Sequence, residues 1–439
     1  MTAEMALSKL NLLFKRIEPP LPRLLVVLFT ILLSGSLFYA STFKNALLIP
    51  FLSMLLLYCF HQPCDLSKKK ILYLLCCIAL IVLNSQFITS SVLVLSTCLL
   101  CAFLITEMIS FDSFSLLFIR IVLFLCVTSW FFLPVILLDI PSPLPDFISI
   151  VGTPYSNFVF FGIYHEFFPS LAITFPDKLY FVTRNSGIFW EPGAFQIFVN
   201  IAFYLGMISN QLSLKRILIF EITILTIQST SGLVVFALLA TAYFIHTRKN
   251  NSRAVNLRFL VVPVLYVGFF LLPGSYNTQI EKFQKGSTGQ IEKFQKGSSS
   301  YVSYLSRSSD FKIDANIVAD HFLRGVGYGN YEIRKQYGID LMGKDIYTSV
   351  ATPTGADGIF VFLGQVGIFG LILLWRLIYP SQIRMWKFLP QGLIVASFLI
   401  IYNSENMFMY LLPWVMVFYG FKSHSEQVLA AAPHLTQIQ

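Results

Sequence analysis

Charged residues and histidine are scarce in this sequence. Only 12% of its 439 residues are Asp, Glu, Lys or Arg, six are His, and 56% are hydrophobic. A typical soluble domain is about 25% charged, so this composition excludes an ordinary soluble protein. Continuous apolar runs alternate with short charged clusters, and several runs approach the roughly 20 residues that cross a bilayer as a helix. The pattern predicts an all-α polytopic membrane protein.

Cysteine is confined to the first third of the chain. All seven cysteines lie in predicted spans or on a predicted cytoplasmic loop, so no disulfide framework is expected. Cys98 and Cys101 form a CxxC pair, but the pair lies in an apolar helix with no His or Asp nearby. The sequence contains no other grouping of metal ligands, and we expect neither a metal nor another cofactor.

The apolar runs predict about twelve transmembrane helices. Lys and Arg gather on alternate connections, most clearly at residues 68–70 and 248–258. The positive-inside rule places these connections and both termini in the cytoplasm, and basic residues scattered over membrane loops argue against nucleic-acid binding. The predicted spans are 24–41, 46–60, 71–88, 89–106, 115–138, 193–209, 217–230, 231–246, 259–273, 357–378, 389–404 and 406–420.

The chain divides into three helical parts and two external segments. In order, the five parts are 1–138, 139–192, 193–273, 274–356 and 357–439. The first external segment interleaves aromatic and polar residues, which indicates an amphipathic stretch on the membrane surface. The second is a large hydrophilic loop. In it "QIEKFQKGS" occurs twice, starting at residues 279 and 290, which we interpret as a tolerated tandem duplication.

The most informative short stretch is "RNSGIFWEPGAF", where a connection enters a helix. Arg184 can bind phosphate through paired donors at any working pH. Gly187 and Gly193 allow the backbone to approach a ligand closely. Glu191 precedes a proline that suits the first turn of a helix, where the helix dipole favours a carboxylate. The alternative is that Arg184 and Glu191 only pair with each other at the interface.

The large loop contributes a second group of candidates. Arg307 and Arg324 flank a predicted short helix, and His321 lies one helical turn before Arg324. The following "RGVGYGNY" is a Gly-rich turn that could present backbone N–H groups to an anion. It follows no strand, so it is not a dinucleotide fingerprint. A lone His is more often a hydrogen-bonded structural residue than a catalyst, and both interpretations of His321 are kept.

Together these motifs resemble the O-antigen polymerase and O-antigen ligase superfamily of bacterial membrane proteins. The matching elements run from "RNSGIFWEPGAFQIF" through "STSG" and "GVGYGN" to "GADGIFVFLGQVGIFG", over residues 180–405. The resemblance implies a helical bundle with a large periplasmic loop, similar to the metal-independent (GT-C-like) lipid-sugar glycosyltransferases. It also implies a site on the periplasmic face of the bacterial inner membrane.

A polymerase of this superfamily joins oligosaccharide repeat units carried on undecaprenyl pyrophosphate. By resemblance, Arg184 corresponds to the first-motif arginine, and Arg307 or Arg324 to the loop arginine, all binding pyrophosphate. The catalytic base is expected to be Glu191 or His321. Asp357, at the start of its predicted helix, is expected to order arginines or to be a plain helix-start charge, and Glu405 has the same two interpretations. The expected partners are a chain-length regulator and a flippase of the same pathway.

Three other functions stay open. A ligase of the superfamily carries a His just before the helix that begins near Asp357, where this sequence reads "YTSVATPTGADG" without one. A flippase for lipid-linked oligosaccharides would place ionisable residues along a path through several spans, and here the middle of the spans is almost uncharged. A non-catalytic assembly partner would need no contact with pyrophosphate.

Overall fold

A computed structural model describes eleven stretches of the chain, and the structural statements below concern these stretches. They are residues 21–36, 44–61, 68–85, 89–137, 158–159, 164–165, 167–175, 178–247, 299–344, 358–378 and 388–421. The predicted span 259–273, the tandem repeat and Asp357 lie outside them. The side chain of Arg307 is also outside the described part.

The structure is mainly α-helical. Its helices are α1 (Leu21–Gly35), α2 (Lys44–His61), α3 (Lys68–Asn84), α4 (Ser90–Met108), α5 (Phe111–Leu137), α6 (Pro192–Ile208), α7 (Leu214–Ile227), α8 (Thr230–Thr247), α9 (Ser299–His321), α10 (Tyr331–Met342), α11 (Gly358–Val366), α12 (Ile368–Ile378), α13 (Phe388–Ser404) and α14 (Leu411–Phe421). A 3-10 turn, Met407–Met409, separates α13 from α14.

Eleven of the twelve predicted spans overlap helices of the described part, although 357–378 contains two helices and 406–420 contains a 3-10 turn followed by α14. Two of these helices, over Ser90–Met108 and Phe111–Phe131, are long and apolar enough to cross a membrane. The other apolar helices are shorter, such as α6 with 17 residues and α14 with 11. The structure therefore supports a helical membrane protein through two candidate spans, and the full set of twelve stays a prediction.

Part of the predicted surface segment 139–192 forms antiparallel strands. They are β1 (Phe158–Val159), β2 (Tyr164–His165), β3 (Phe167–Phe175) and β4 (Lys178–Arg184). β1 pairs with β2, and β3 pairs with β4. The aromatic and β-branched residues that suggested an amphipathic stretch are also those that favour strands. β4 ends at Arg184, so this hairpin leads directly into the motif.

Helix α6 is the centre of the bundle. All of its residues except Gly193 and Ile208 are buried, and it packs against α5, α7 and α8. A helix that is apolar on every side is expected to be enclosed by others. Its buried Asn200 donates to the Gln196 side chain (3.0 Å) and to the Gly232 carbonyl (3.2 Å). These hydrogen bonds fasten α6 to α8 within the core.

The predicted span 357–378 is wrong as a single helix, because the structure divides it at Gly367 into α11 and α12. Gly367 has a φ of +69°, which ends α11 without the strain another residue would incur. A Cβ at Gly367 would lie 2.7 Å from the Gly325 nitrogen, and Gly325 itself has a φ of +72°. Two glycines thus let the large loop and the broken helix pack backbone against backbone.

The described part of the large loop has its own small core. Ile313, Ile317 and Val326 are buried together between α9 and α10. The predicted short helix between Arg307 and Arg324 is in fact the 23-residue α9, which contains Arg307 and ends three residues before Arg324. The loop is therefore a folded helical hairpin over residues 299–344.

A buried ion triad fastens this hairpin. Arg334 Nη2 lies 2.5 Å from Asp310 Oδ1, and Arg334 Nε lies 2.9 Å from Asp314 Oδ1. All three side chains are at most 4% exposed. Burial lowers the pKa of the Arg334 guanidinium, but the charges and hydrogen bonds of Asp314 and Asp310 outweigh burial and raise this pKa above its usual value. The guanidinium stays charged and joins α10 to α9.

Replacing Arg334 with Met should destabilise the loop hairpin by about 3–5 kcal/mol, because it leaves two carboxylates buried without their counter-ion. The measurement is the rate at which protease cuts residues 299–344 in purified protein. Lys335→Ala is the matched control, since Lys335 is the next residue on α10 and its pair with Glu332 (3.5 Å) is exposed. Equal cutting of the two variants would contradict a stabilising triad.

Candidate functional site

The connection between β4 and α6, residues 185–191, lies where several helix ends meet. The Trp190 N–H donates to the Gly35 carbonyl at the end of α1 (3.4 Å). The Asn185 N–H donates to the Thr226 carbonyl near the end of α7 (3.1 Å). These are helix ends that the predicted topology places outside. The motif is therefore held at one end of the bundle by α1 and α7.

Arg184 is partly exposed at the C-terminal end of α7. Its Nε–H donates to the Ile227 carbonyl (3.3 Å), and Gln228, with a left-handed backbone, ends the helix there. A cation is favoured at a helix C-terminus, where unpaired carbonyls carry partial negative charge. The arginine predicted from the motif is thus anchored by the protein itself.

Asn185 and Gly187 build the turn that follows. The Asn185 amide donates to Thr226 Oγ1 (3.0 Å) and Ser129 Oγ (2.9 Å), and its Oδ1 accepts from the Gly187 N–H (3.0 Å). Gly187 has a φ of +55°, and a Cβ there would lie 3.1 Å from the Phe195 ring. Gly187 was predicted to admit a ligand, but its space is occupied by Phe195. Its role in the structure is to make the turn.

Glu191 caps α6 through its backbone, not its side chain. Its carbonyl accepts from the Ala194 N–H (3.1 Å) and the Phe195 N–H (3.2 Å), and Pro192 is the first helical residue, as predicted. The Glu191 side chain makes no cap hydrogen bond, and its Oε1 instead accepts from the Trp190 indole N–H (2.7 Å). The carboxylate is therefore oriented by Trp190 at a partly exposed position.

Gly193 faces a second carboxylate. The three atoms nearest to a Cβ built at Gly193 all belong to the Glu405 side chain, and Glu405 Oε1 would overlap that Cβ. One turn further into α6, the Gln196 amide lies 3.4 Å from Ser404 Oγ. The chain just after α13 thus runs along the first turns of α6.

Residues 404–410, here called the 404–410 segment, connect the motif to the large loop. The ring of Tyr410 lies 5.0 Å from that of Trp190, centroid to centroid. The Phe408 carbonyl accepts from the Tyr328 hydroxyl (3.3 Å), and the Tyr331 hydroxyl lies 3.8 Å from Met409 Sδ. The site is therefore assembled from three regions that are more than 70 residues apart along the chain.

The Gly-rich turn was predicted to present N–H groups to an anion, and this is wrong for residues 325–328. Their N–H groups donate instead to the His321, Gly364 and Gln365 carbonyls and to Ser85 Oγ, at 2.6–3.2 Å. Tyr328, in the same turn, is 4% exposed and lies in the core. The glycines at 325 and 329 allow close packing of the loop against the end of α11 and the start of α4.

His321 lies in the loop hairpin beside Tyr337. His321 Nε2 is 3.1 Å from the Tyr337 hydroxyl, which donates to Asp320 Oδ2 (2.8 Å). Both contacts are satisfied when the His321 Nε2–H donates to the Tyr337 oxygen. Burial and the hydrogen bond to Asp320 raise the pKa of Tyr337, which keeps the phenol neutral. This arrangement favours the structural interpretation of His321.

The remaining candidates lie in the large loop and at the start of α11. Arg324 is exposed on the turn packed against Gly367. Arg307 is in the first half of α9, with its side chain outside the described part. Gly358, next to Asp357, packs against the backbone of Glu405. Among the described residues, no group of three or more His, Cys, Asp or Glu side chains is placed to hold a metal ion.

Two features were missed at the sequence level. The ion triad of Asp310, Asp314 and Arg334 was not predicted, although Asp310 and Asp314 have the i, i+4 spacing that puts two carboxylates on one helix face. The contacts that join the 404–410 segment to the motif and to the large loop could not be predicted from nearby sequence, because its partners lie elsewhere in the chain.

No family model, curated protein or solved structure matches this chain.

Proposed function

We propose that the protein is a metal-independent glycosyltransferase of the bacterial inner membrane. It polymerises oligosaccharide repeat units carried on undecaprenyl pyrophosphate, as in O-antigen synthesis. The observation that carries the proposal is the hydrogen-bonded connection from Arg184 to Glu191. It presents one guanidinium and one oriented carboxylate at the same end of the bundle, and the 404–410 segment links it to the large loop.

The proposed reaction is an inverting displacement at the anomeric carbon of the donor chain. A hydroxyl oxygen of the acceptor unit forms the new bond to that carbon. The bond from the carbon to the pyrophosphate oxygen breaks, and the pyrophosphate leaves with the electron pair. The hydroxyl proton passes to the carboxylate of Glu191. Glu191 is the stronger candidate base because it lies in the same motif as Arg184 and is oriented by Trp190, whereas His321 forms a hydrogen bond with Tyr337 in the loop hairpin.

The leaving group gains negative charge as the bond breaks, so a fixed cation beside it lowers the barrier. Arg184 suits this role because a guanidinium offers several N–H donors in one plane. The Arg184 Nε–H donates to the Ile227 carbonyl, and this hydrogen bond limits the rotation of the side chain. Arg324, exposed on the packed turn, and Arg307 on α9 are the proposed additional pyrophosphate contacts.

A ligase and a flippase are the competing functions. A flippase needs ionisable groups through the bundle. Glu221, buried in the middle of α7, is a candidate, and its oxygens have no hydrogen-bond partner among the described residues. One such carboxylate does not form a transport path through the bundle. The location of both Arg184 and Glu191 at one end of the bundle favours a reaction at the membrane surface. A ligase shares this geometry, so it is separated by phenotype: loss of a polymerase leaves single repeat units on the lipid A-core, and loss of a ligase leaves none.

The direct test is elongation of a defined undecaprenyl-pyrophosphate-linked repeat unit by the purified protein in lipid vesicles. We expect products of increasing length, with the same rate in the presence of a metal chelator. Vesicles without the protein are the control. No elongation by properly inserted protein would contradict the proposal, and loss of activity in chelator would contradict the metal-independent mechanism.

A further inference from the structure

The glycine of the Glu-Pro-Gly motif has a steric explanation in the structure. Gly193 is the second residue of α6 and does not have a positive φ, so its backbone conformation suits any residue. A Cβ there would overlap Glu405 Oε1 and lie 3.2 Å from Glu405 Cδ. The nearest obstacle to a methyl group at position 193 is therefore the Glu405 side chain.

Resting on the proposed function, we propose that Glu405 is a positioning residue of the transferase, whose carboxylate packs against the first turn of α6 in the space that Gly193 leaves. A carboxylate is favoured at this position by the partial positive charge of the helix N-terminus. Glu191, the proposed base, is the residue immediately before that turn. Glu405 thus holds the helix start from which Glu191 extends.

The surroundings of Glu405 make its position well determined. Ser404, the preceding residue, lies against Gln196 of α6. On the other side, the start of α11 at Gly358 packs so closely on the Glu405 carbonyl that a Cβ there would lie 2.6 Å from it. The backbone around Glu405 is therefore held between α6 and α11 at the end of α13, which places the Glu405 side chain beside the first turn of α6.

Gly193→Ala is expected to lower kcat for elongation about 10- to 100-fold, since displacements near 1 Å in a catalytic site reach that size. The KM for the lipid-linked donor should stay unchanged, because Glu405 acts on the base and not on the pyrophosphate contacts. Gly392→Ala is the matched control. It adds the same methyl group to a helical glycine, and a Cβ at Gly392 would have nothing within 4 Å.

Rescue separates positioning from a general packing defect. Glu405→Asp shortens the side chain by one methylene, so combined with Gly193→Ala it should recover most of the lost kcat. Glu405→Gln keeps the shape without the charge and should lower kcat, with no further loss when Gly193→Ala is added. Thermal unfolding of each purified variant checks that the fold is retained.

Three results would overturn the inference. They are equal kcat for Gly193→Ala and Gly392→Ala, losses that simply multiply in the double variants, and a loss explained by unfolding alone. Arg184→Ala is assayed in parallel. If it abolishes elongation while Gly193→Ala has no effect, only the role of Glu405 is wrong. If the wild-type protein does not elongate, the proposed function is wrong and this inference with it.

Discussion

Replacing Arg184 with Ala is expected to reduce elongation about 100- to 1000-fold, the range for removal of one fixed donor to a developing negative charge. The physical reason is that the departing pyrophosphate then lacks the guanidinium anchored on Ile227. The measurement is the rate of elongation of a lipid-linked repeat unit in vesicles, together with the chain-length ladder in cells. Membrane insertion of the variant should be normal, because Asn185 keeps the connection on α7.

The matched control for this change is Arg216→Ala. Arg216 also donates to a backbone carbonyl, that of Gln211 (2.6 Å), but it lies at the start of α7, the opposite end from Arg184. The Arg216→Ala variant should elongate the lipid-linked repeat unit at nearly the wild-type rate. Arg184→Lys should recover activity only in part, since an ammonium lacks the planar pair of donors. A normal ladder from Arg184→Ala would refute the assignment.

Glu191→Gln is expected to lower the elongation rate about 100- to 10,000-fold, the range for removal of a general base. Gln has the same shape, and its Oε1 can still accept from the Trp190 indole. The change therefore removes the charge and the proton-accepting oxygen while the contact stays. The rate of a single transfer to an acceptor in excess is the appropriate measurement, because it reports the chemical step.

Two further variants show which residue is the base. Trp190→Phe keeps the ring against Tyr410 but removes the indole N–H, so it should reduce the rate less than Glu191→Gln. His321→Gln should have little effect, because the structure places that ring on Tyr337 in the loop hairpin. A large loss in His321→Gln with a small one in Glu191→Gln would reverse the assignment.

Local sequence patterns predicted the apolar helices of the described part, but not the helical hairpin of the large loop or the break at Gly367. Apolar runs of helical length identify a segment because neighbouring turns share the same surroundings. The sequence around Gly367 does not distinguish it from other glycines inside apolar runs, so it predicts no helix break there. It ends α11 because the loop packs at Gly325, more than 40 residues earlier, and that contact leaves no trace near Gly367.

The candidate site was predicted in part for the same reason. Arg184, Glu191 and Pro192 lie in one short stretch, so their types and spacing could be interpreted together. The Gly-rich turn was misjudged, because the N–H groups of residues 325–328 donate to carbonyls on α9 and α11 and to Ser85, just after α3.

The sequence by itself determined that the chain is an apolar helical protein, where most helices begin, and that a guanidinium and a carboxylate flank the start of α6. These properties depend on neighbours within a few residues. Only the tertiary structure decided that Glu405 occupies the space beside Gly193, and that Arg334 is buried between two aspartates. Such contacts form when distant segments pack, and their specificity lies in shape and charge at the contact, which no local pattern records.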